Sequence, residues 1–215
     1  MRFSSARVGT RPPIREARLT GQGSTRRLFF ALWPDRAAQV ALADATQNVV
    51  LACGGRAVPL EKFHVTLAFL GSVSEASVPK VRTIGEQVAA ELEREAVQLT
   101  MDAIEYWKKA QVVCATAPVP QTAGARFSDT LAAALKSRLT AAGFTPDLKP
   151  FRAHVTLARK VPRGSHDYTM QSVLWSFTEC ALVESRTGPG GSLYSILDSW
   201  PLCTEVRKMP EKKDK

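Results

Sequence analysis

The pentapeptide His-Val-Thr-Leu-Ala occurs twice, at 64–68 and at 154–158, and the two copies hold two of the three histidines in the chain. In an extended strand, side chains two residues apart share a face, so each copy sets an imidazole and a hydroxyl on one side and Val and Leu on the other. His64 with Thr66, and His154 with Thr156, therefore predict two polar faces, each spanning roughly 7 Å and each backed by apolar side chains. Both copies follow an aromatic residue, Phe63 in one and Phe151 in the other. A short peptide repeated once does not make a solenoid. Two matched strands instead point to a duplicated fold whose halves each contribute one functional strand.

The pattern around the copies supports that reading. Residues 28–33 form an apolar, aromatic strand stopped by Pro34, and Pro34 with Asp35 opens a helical pattern to about Ala52, ended by Gly54 and Gly55. Residues 62–70 read as a strand closed by Gly71, and Ser77 with Pro79 precedes a helix to about Glu95. Segments 97–107 and 111–117 are expected to pair, and 125–142 is rich in helix formers before Gly143. Residues 152–159, 173–184 and 192–199 complete the strands, the last two joined by a Gly/Pro turn at 188–191. Strands mixed with a few helices, without strict βαβ alternation, predict an α+β architecture.

With 215 residues and 45% apolar content, the chain can bury a substantial core. Its +9 charge invites a nucleic-acid reading, but residues 1–27 carry a net +6 and residues 205–215 a net +2, which leaves +1 for the body. An RNA substrate would thus be recognised locally, at a terminus, rather than coated along its backbone. Residues 1–26 combine Arg, Ser, Gly and Pro without hydrophobic period and are expected to form a flexible basic extension. Residues 27–204 are expected to form one domain, followed by a charged tail at 205–215. No apolar run is long enough to span a bilayer and no secretory h-region is present, so a soluble, cytoplasmic protein is expected. Nothing marks an assembly surface, and a monomer is the default. Cys53, Cys114, Cys180 and Cys203 form no CxxC pair and are expected to be buried, reduced thiols.

Imidazoles titrate near neutrality, so a pair can divide acid and base work at physiological pH. Hydrolysis of a cyclic phosphodiester needs that division: water loses a proton as it attacks phosphorus, and the departing ribose oxygen gains one on the opposite side. Threonine hydroxyls can hydrogen-bond the non-bridging oxygens. The scheme calls for no metal and no cofactor, and neither motif supplies the carboxylate or cysteine ligands expected of a zinc or iron site. A lone strand histidine is more often structural than catalytic, yet duplication in matched contexts shifts that balance. His166, in a polar stretch without a partner motif, reads as a solvated loop residue. Phe63, Phe151 and Trp33 read as core, and Arg152 as a solvated arginine or a phosphate contact.

RLFFALWP at 27–34, FHVTLAFLG at 63–71, FRAHVTLAR at 151–159 and the closing ALVES to SLYSILDSWPL resemble the 2H phosphoesterase superfamily. Within it they are most similar to the bacterial RNA 2′,3′-cyclic phosphodiesterases once called 2′-5′ RNA ligases. The likeness covers residues 27–203 and implies a bilobal α+β fold with two mainly antiparallel sheets flanking a central cleft. It implies that His64 donates a proton to the leaving O3′ and His154 activates water, giving a 2′-phosphate on RNA ends or small cyclic nucleotides. It further suggests base stacking for Phe69 and phosphate contact for Arg159. Both lie five residues after their histidine, and a regular strand would turn them to the opposite face, so a bulge or strand end is needed to bring them back. Alternatives from the same residues are 2′-5′ ligation at the same site, or an RNA-end-binding module without turnover.

Overall fold

A computed structural model describes residues 24–92, 96–117, 123–165, 167–188 and 191–202. His166, Cys203, most of the basic N-terminal extension and the C-terminal tail lie outside the described residues. In chain order the elements are β1 (Thr25–Leu32), α1 (Arg36–Ala52), β2 (Arg56–Ala57), β3 (Val65–Ser74), α2 (Val78–Glu91), β4 (Val97–Met101), β5 (Ala103–Trp107) and β6 (Val112–Thr116), then α3 (Ala123–Ala141), β7 (His154–Arg159), β8 (Val173–Phe177), β9 (Glu179–Gly188) and β10 (Gly191–Pro201).

The strands form two four-stranded sheets, ordered β10-β9-β1-β3 and β2-β7-β6-β5, and a two-stranded β4-β8 ribbon, with every pairing antiparallel. Each large sheet carries one copy of the repeat, on β3 and on β7. β1 is apolar on both faces for a reason: Leu28, Phe30 and Leu32 enter the main core, while Phe29 and Ala31 pack with Ala181 and Val183 on the opposite face. Helices α2 and α3 pack on each other, with α2 also against β9 and β10. Helix α2 lies so close to this sheet that a Cβ on Gly85 would come within 2.6 Å of Trp200 and 2.7 Å of Phe30. Helix α1 starts on an Asp35 cap that accepts from the Ala38 N–H at 2.7 Å. The indole N–H of buried Trp175, on β8, donates to the Ala38 carbonyl at 2.9 Å.

Several boundaries differ from the sequence expectation. β1 begins at Thr25, because the Arg26 guanidinium is held by Glu75 at 2.6 Å and lies 3.6 Å from buried Glu184, which also pairs with Arg186 at 3.0 Å. Segment 97–107 is two strands: the Asp102 N–H bonds to the Thr116 carbonyl between them, β5 pairs with β6, and β4 leaves to pair with β8. Segment 173–184 divides likewise at Thr178, whose carbonyl accepts from the Leu202 N–H. β3 continues through Gly71, which at φ +71° occupies left-handed backbone open to glycine and ends no strand. Cys53, Cys114 and Cys180 are buried free thiols, and burial pushes Cys114 and Cys180 up to about 12. Among the described residues no helix is long and apolar enough to cross a membrane.

Candidate active site

The strand arithmetic that separates Phe69 and Arg159 from their histidines is broken in both copies at the same residue. Against β1, Thr66 pairs with Ala31 and Ala68 with Phe30, so Leu67 has no opposite partner; against β6, Thr156 pairs with Cys114 and Ala158 with Val113, so Leu157 has none. These are β-bulges at the fourth residue of the repeat. Leu and Ala are both buried in each copy, the alternation is reset, and Phe69 and Arg159 return to the histidine face. The unpaired stretch at Leu157 is used, since its carbonyl accepts from the Val58 N–H at 2.8 Å.

Those faces line one cleft of about 500 Å³ between the two large sheets. His64, Thr66, Phe69, His154, Thr156 and Arg159 all open onto it. Each imidazole is tethered in the same way. His64 Nδ1 lies 2.8 Å from the Lys62 carbonyl and His154 Nδ1 lies 2.7 Å from the Arg152 carbonyl. A carbonyl only accepts, so both Nδ1 atoms carry hydrogen and donate it, which leaves Nε2 of each ring as the atom available to exchange a proton.

The two imidazoles differ in surroundings. His64 sits in a cage of rings: Trp33 lies parallel to it, Phe29 is tilted against it at 5.1 Å, and Tyr194 meets it edge-on at 5.2 Å. Burial lowers its pKa to about 4, opposed by the Lys62 carbonyl and assisted by the charges of His154 and Arg159. His154 faces Trp107, with ring centroids 4.5 Å apart. Its pKa is also lowered, first by burial and then by Arg152 and Arg159, while the Arg152 carbonyl and the Glu105 carboxylate oppose the shift. Glu105 organises this side: it accepts from the Trp107 indole N–H at 2.9 Å and from the Thr116 hydroxyl at 3.2 Å, and it pairs with Arg152. Among the described residues, no group of three His, Cys, Asp or Glu side chains is placed to hold a metal ion.

Residues 33–188 match the model of the 2′-5′ RNA ligase superfamily. The chain belongs to this superfamily. A member from Thermus thermophilus named RNA 2′,3′-cyclic phosphodiesterase is 28% identical over 183 residues, covering 83% of this chain and 91% of the relative. One of the same name from Escherichia coli is 31% identical over 152 residues, 69% of this chain and 80% of the relative. The solved structure of E. coli LigT complexed with 3′-AMP superposes with a TM-score of 0.70 at 25% identity, covering 84% of this chain and all of that one.

In this member of the superfamily, the two histidines are surrounded by side chains to which the sequence pattern assigned no such part. Trp33, expected in the core, packs against the small Phe29–Ala31 cluster and also stacks on His64, whereas Phe63 is buried in the main core and Phe151 packs against it. Arg152 is exposed, as a solvated arginine would be, and it also pairs with Glu105 and lies over the Trp107 ring. Tyr194 lies in the closing SLYSILDSWPL stretch without a part assigned to it there, and Glu105 lies in no motif. The one available signal was Trp33, two residues after Ala31 and so on the face of Phe29, opposite to the Leu28-Phe30-Leu32 core face.

Proposed function

We propose that this chain hydrolyses 2′,3′-cyclic phosphates at RNA ends to 2′-phosphates through His64 and His154, without a metal. The observation that carries the reading is the pair of identically tethered imidazoles on one cleft, each with Nε2 left for chemistry. In the proposed reaction His154 Nε2 takes a proton from water as the water oxygen bonds to phosphorus. The P–O3′ bond breaks, and His64 Nε2 supplies the proton to O3′, giving a 2′-phosphate and a free 3′-hydroxyl. Thr66 and Thr156 hydrogen-bond the non-bridging oxygens, Arg159 contacts the phosphate and Phe69 stacks on the base. Names of the relatives and the family membership support this assignment.

The electrostatics of the cleft bear on the order of events. With both histidine pKa values lowered, both rings are neutral at pH 7 before substrate arrives. Burial is the first cause in both and the positive charge of Arg159 acts on both, and a phosphate monoanion between the rings opposes that charge. A neutral His64 must gain a proton before it can serve as acid, and the charge of the anionic substrate favours that gain.

The test is hydrolysis of a 2′,3′-cyclic nucleotide and a short cyclic-ended RNA in excess EDTA, with the product isomer read by phosphorus NMR. Formation of a 2′-phosphate is expected. A 3′-phosphate would reverse the regiochemistry, dependence on added metal would discard the two-histidine scheme, and joined strands as the main product would favour ligation.

A further inference from the structure

Arg27, Arg56, Lys62, Arg159 and Lys160 all line the cleft, and no Asp or Glu lines it among the described residues. A cyclic phosphate brings one negative charge, so this wall carries more positive charge than the reacting group requires. The cations are not spread evenly. Arg56 stands opposite Arg159 in the β2–β7 register, beyond the Leu157 bulge and at the far end of β7 from His154. From there Arg56 reaches across to β10, where a Cβ on Gly191 would lie 3.7 Å from its guanidinium nitrogen. Arg27, on the facing sheet, lies over the Phe69 ring at 4.8 Å from its centroid. The cleft thus has a histidine end and an arginine end, separated by about three strand residues beyond Thr156, roughly 10 Å of backbone.

We propose that the arginine end, built on Arg56 with Arg27 and Lys160, is a second phosphate subsite that takes the phosphate on O5′ of the reacting nucleotide. The inference rests on the proposed activity and then on the chemistry of the substrate. In a cyclic-ended RNA the reacting phosphate occupies O2′ and O3′ of the last ribose, and O5′ is the one remaining oxygen of that sugar through which a phosphate can be attached. A base held at Phe69 places this ribose between the two ends of the cleft. Guanidinium groups suit a phosphate at that point because they bind its oxygens in pairs. The protein then reads a cyclic-ended nucleotide by two phosphates and binds cyclic nucleosides lacking the second more weakly.

Three substrates test this: a nucleoside 2′,3′-cyclic phosphate, the same molecule bearing a 5′-monophosphate, and a dinucleotide with the cyclic phosphate at its 3′ end. At low salt the second and third are expected to show about tenfold lower KM than the first, a preference that shrinks as salt rises. A gain confined to the monoester assigns the subsite to free 5′-phosphorylated nucleotides, and a gain in both assigns it to RNA. Arg56→Gln, at an exposed position, is expected to erase the preference while leaving turnover of the first substrate unchanged, and Arg56→Lys to keep part of it. Equal KM for all three substrates in the parent, or a preference surviving both Arg56→Gln and Lys160→Gln, overturns the subsite while the hydrolytic reading stands. If the parent hydrolyses none of the three, the proposed function fails instead. Equilibrium binding of the same three ligands to His154→Ala then decides the subsite, with equal affinities counting against it.

Discussion

The indole of Trp33 lies parallel to the imidazole of His64, with an interplanar angle of 1° and ring centroids 5.1 Å apart. Stacking on this side, with Phe29 and Tyr194 on others, both aims the ring and keeps water from it. Trp33→Ala is expected to raise the His64 pKa from about 4 towards the ordinary histidine value, because burial is the main cause of the depression. Titration of the histidine ring signals by NMR checks this; an unmoved His64 would mean that Trp33 does not shield it.

His154→Ala and His64→Ala are each expected to lower kcat on a cyclic phosphate on the order of 10²–10⁴-fold while ligand binding persists. Steady-state kinetics paired with a binding isotherm distinguishes this from loss of folding. Turnover equal to the parent in either variant removes that histidine from the reaction.

Stability should fall on acidification through the same residue. His64 binds its proton more weakly when folded than when unfolded, so between the unfolded value near 6.5 and the folded value of about 4 the unfolded chain holds more protons. Lowering the pH favours unfolding across that window. From pH 7 to pH 5, His64 alone accounts for a loss of about 2 kcal/mol. Urea denaturation at both pH values should show this loss in the parent and a smaller one in His64→Phe.

Glu105→Gln is expected to cost about 1–2 kcal/mol of stability, since an amide replaces a carboxylate that accepts from Trp107 and Thr116 and pairs with Arg152. It also frees the Arg152 charge beside His154, so the His154 pKa should drop further. The acid limb of the kcat/KM profile would move to lower pH. A profile superimposable on the parent's would confine Glu105 to a structural role.

Gly85→Ala places a methyl group against Trp200 and Phe30 at distances no packed carbon tolerates, and one of the rings must shift. A destabilisation of about 1–3 kcal/mol is expected, read as a lower denaturation midpoint with little change in kcat.

The fold and the polar heart of the cleft were legible because they are written locally. The strand period placed His64 with Thr66 and His154 with Thr156, and the odd spacing to Phe69 and Arg159 called for the bulges found at Leu67 and Leu157. What escaped was set by long-range pairing. Segment 97–107 reads as one run, yet β4 leaves β5 to join β8, over seventy residues away in sequence. Glu105 looks like any strand carboxylate until β6 and the approach to β7 bring Thr116 and Arg152 to it. Trp33 is apolar by type, and the β1 pleat sets it on the Phe29–Ala31 face, where it packs on that small cluster and stacks on His64.

Each histidine is steered by a carbonyl two positions earlier in its own strand approach, Lys62 for one and Arg152 for the other. Which nitrogen of each ring carries the hydrogen is therefore decided within three consecutive residues, whatever the opposite sheet contributes to the pKa. Each half thus sets the tautomer of its own ring before assembly, and what docking the halves adds is aim and the charge of the facing groups. Substitutions that alter how the sheets sit against each other should accordingly detune the reaction gradually through distance, whereas a proline at 62 or 152, by disturbing the approach peptide, would strike one ring alone.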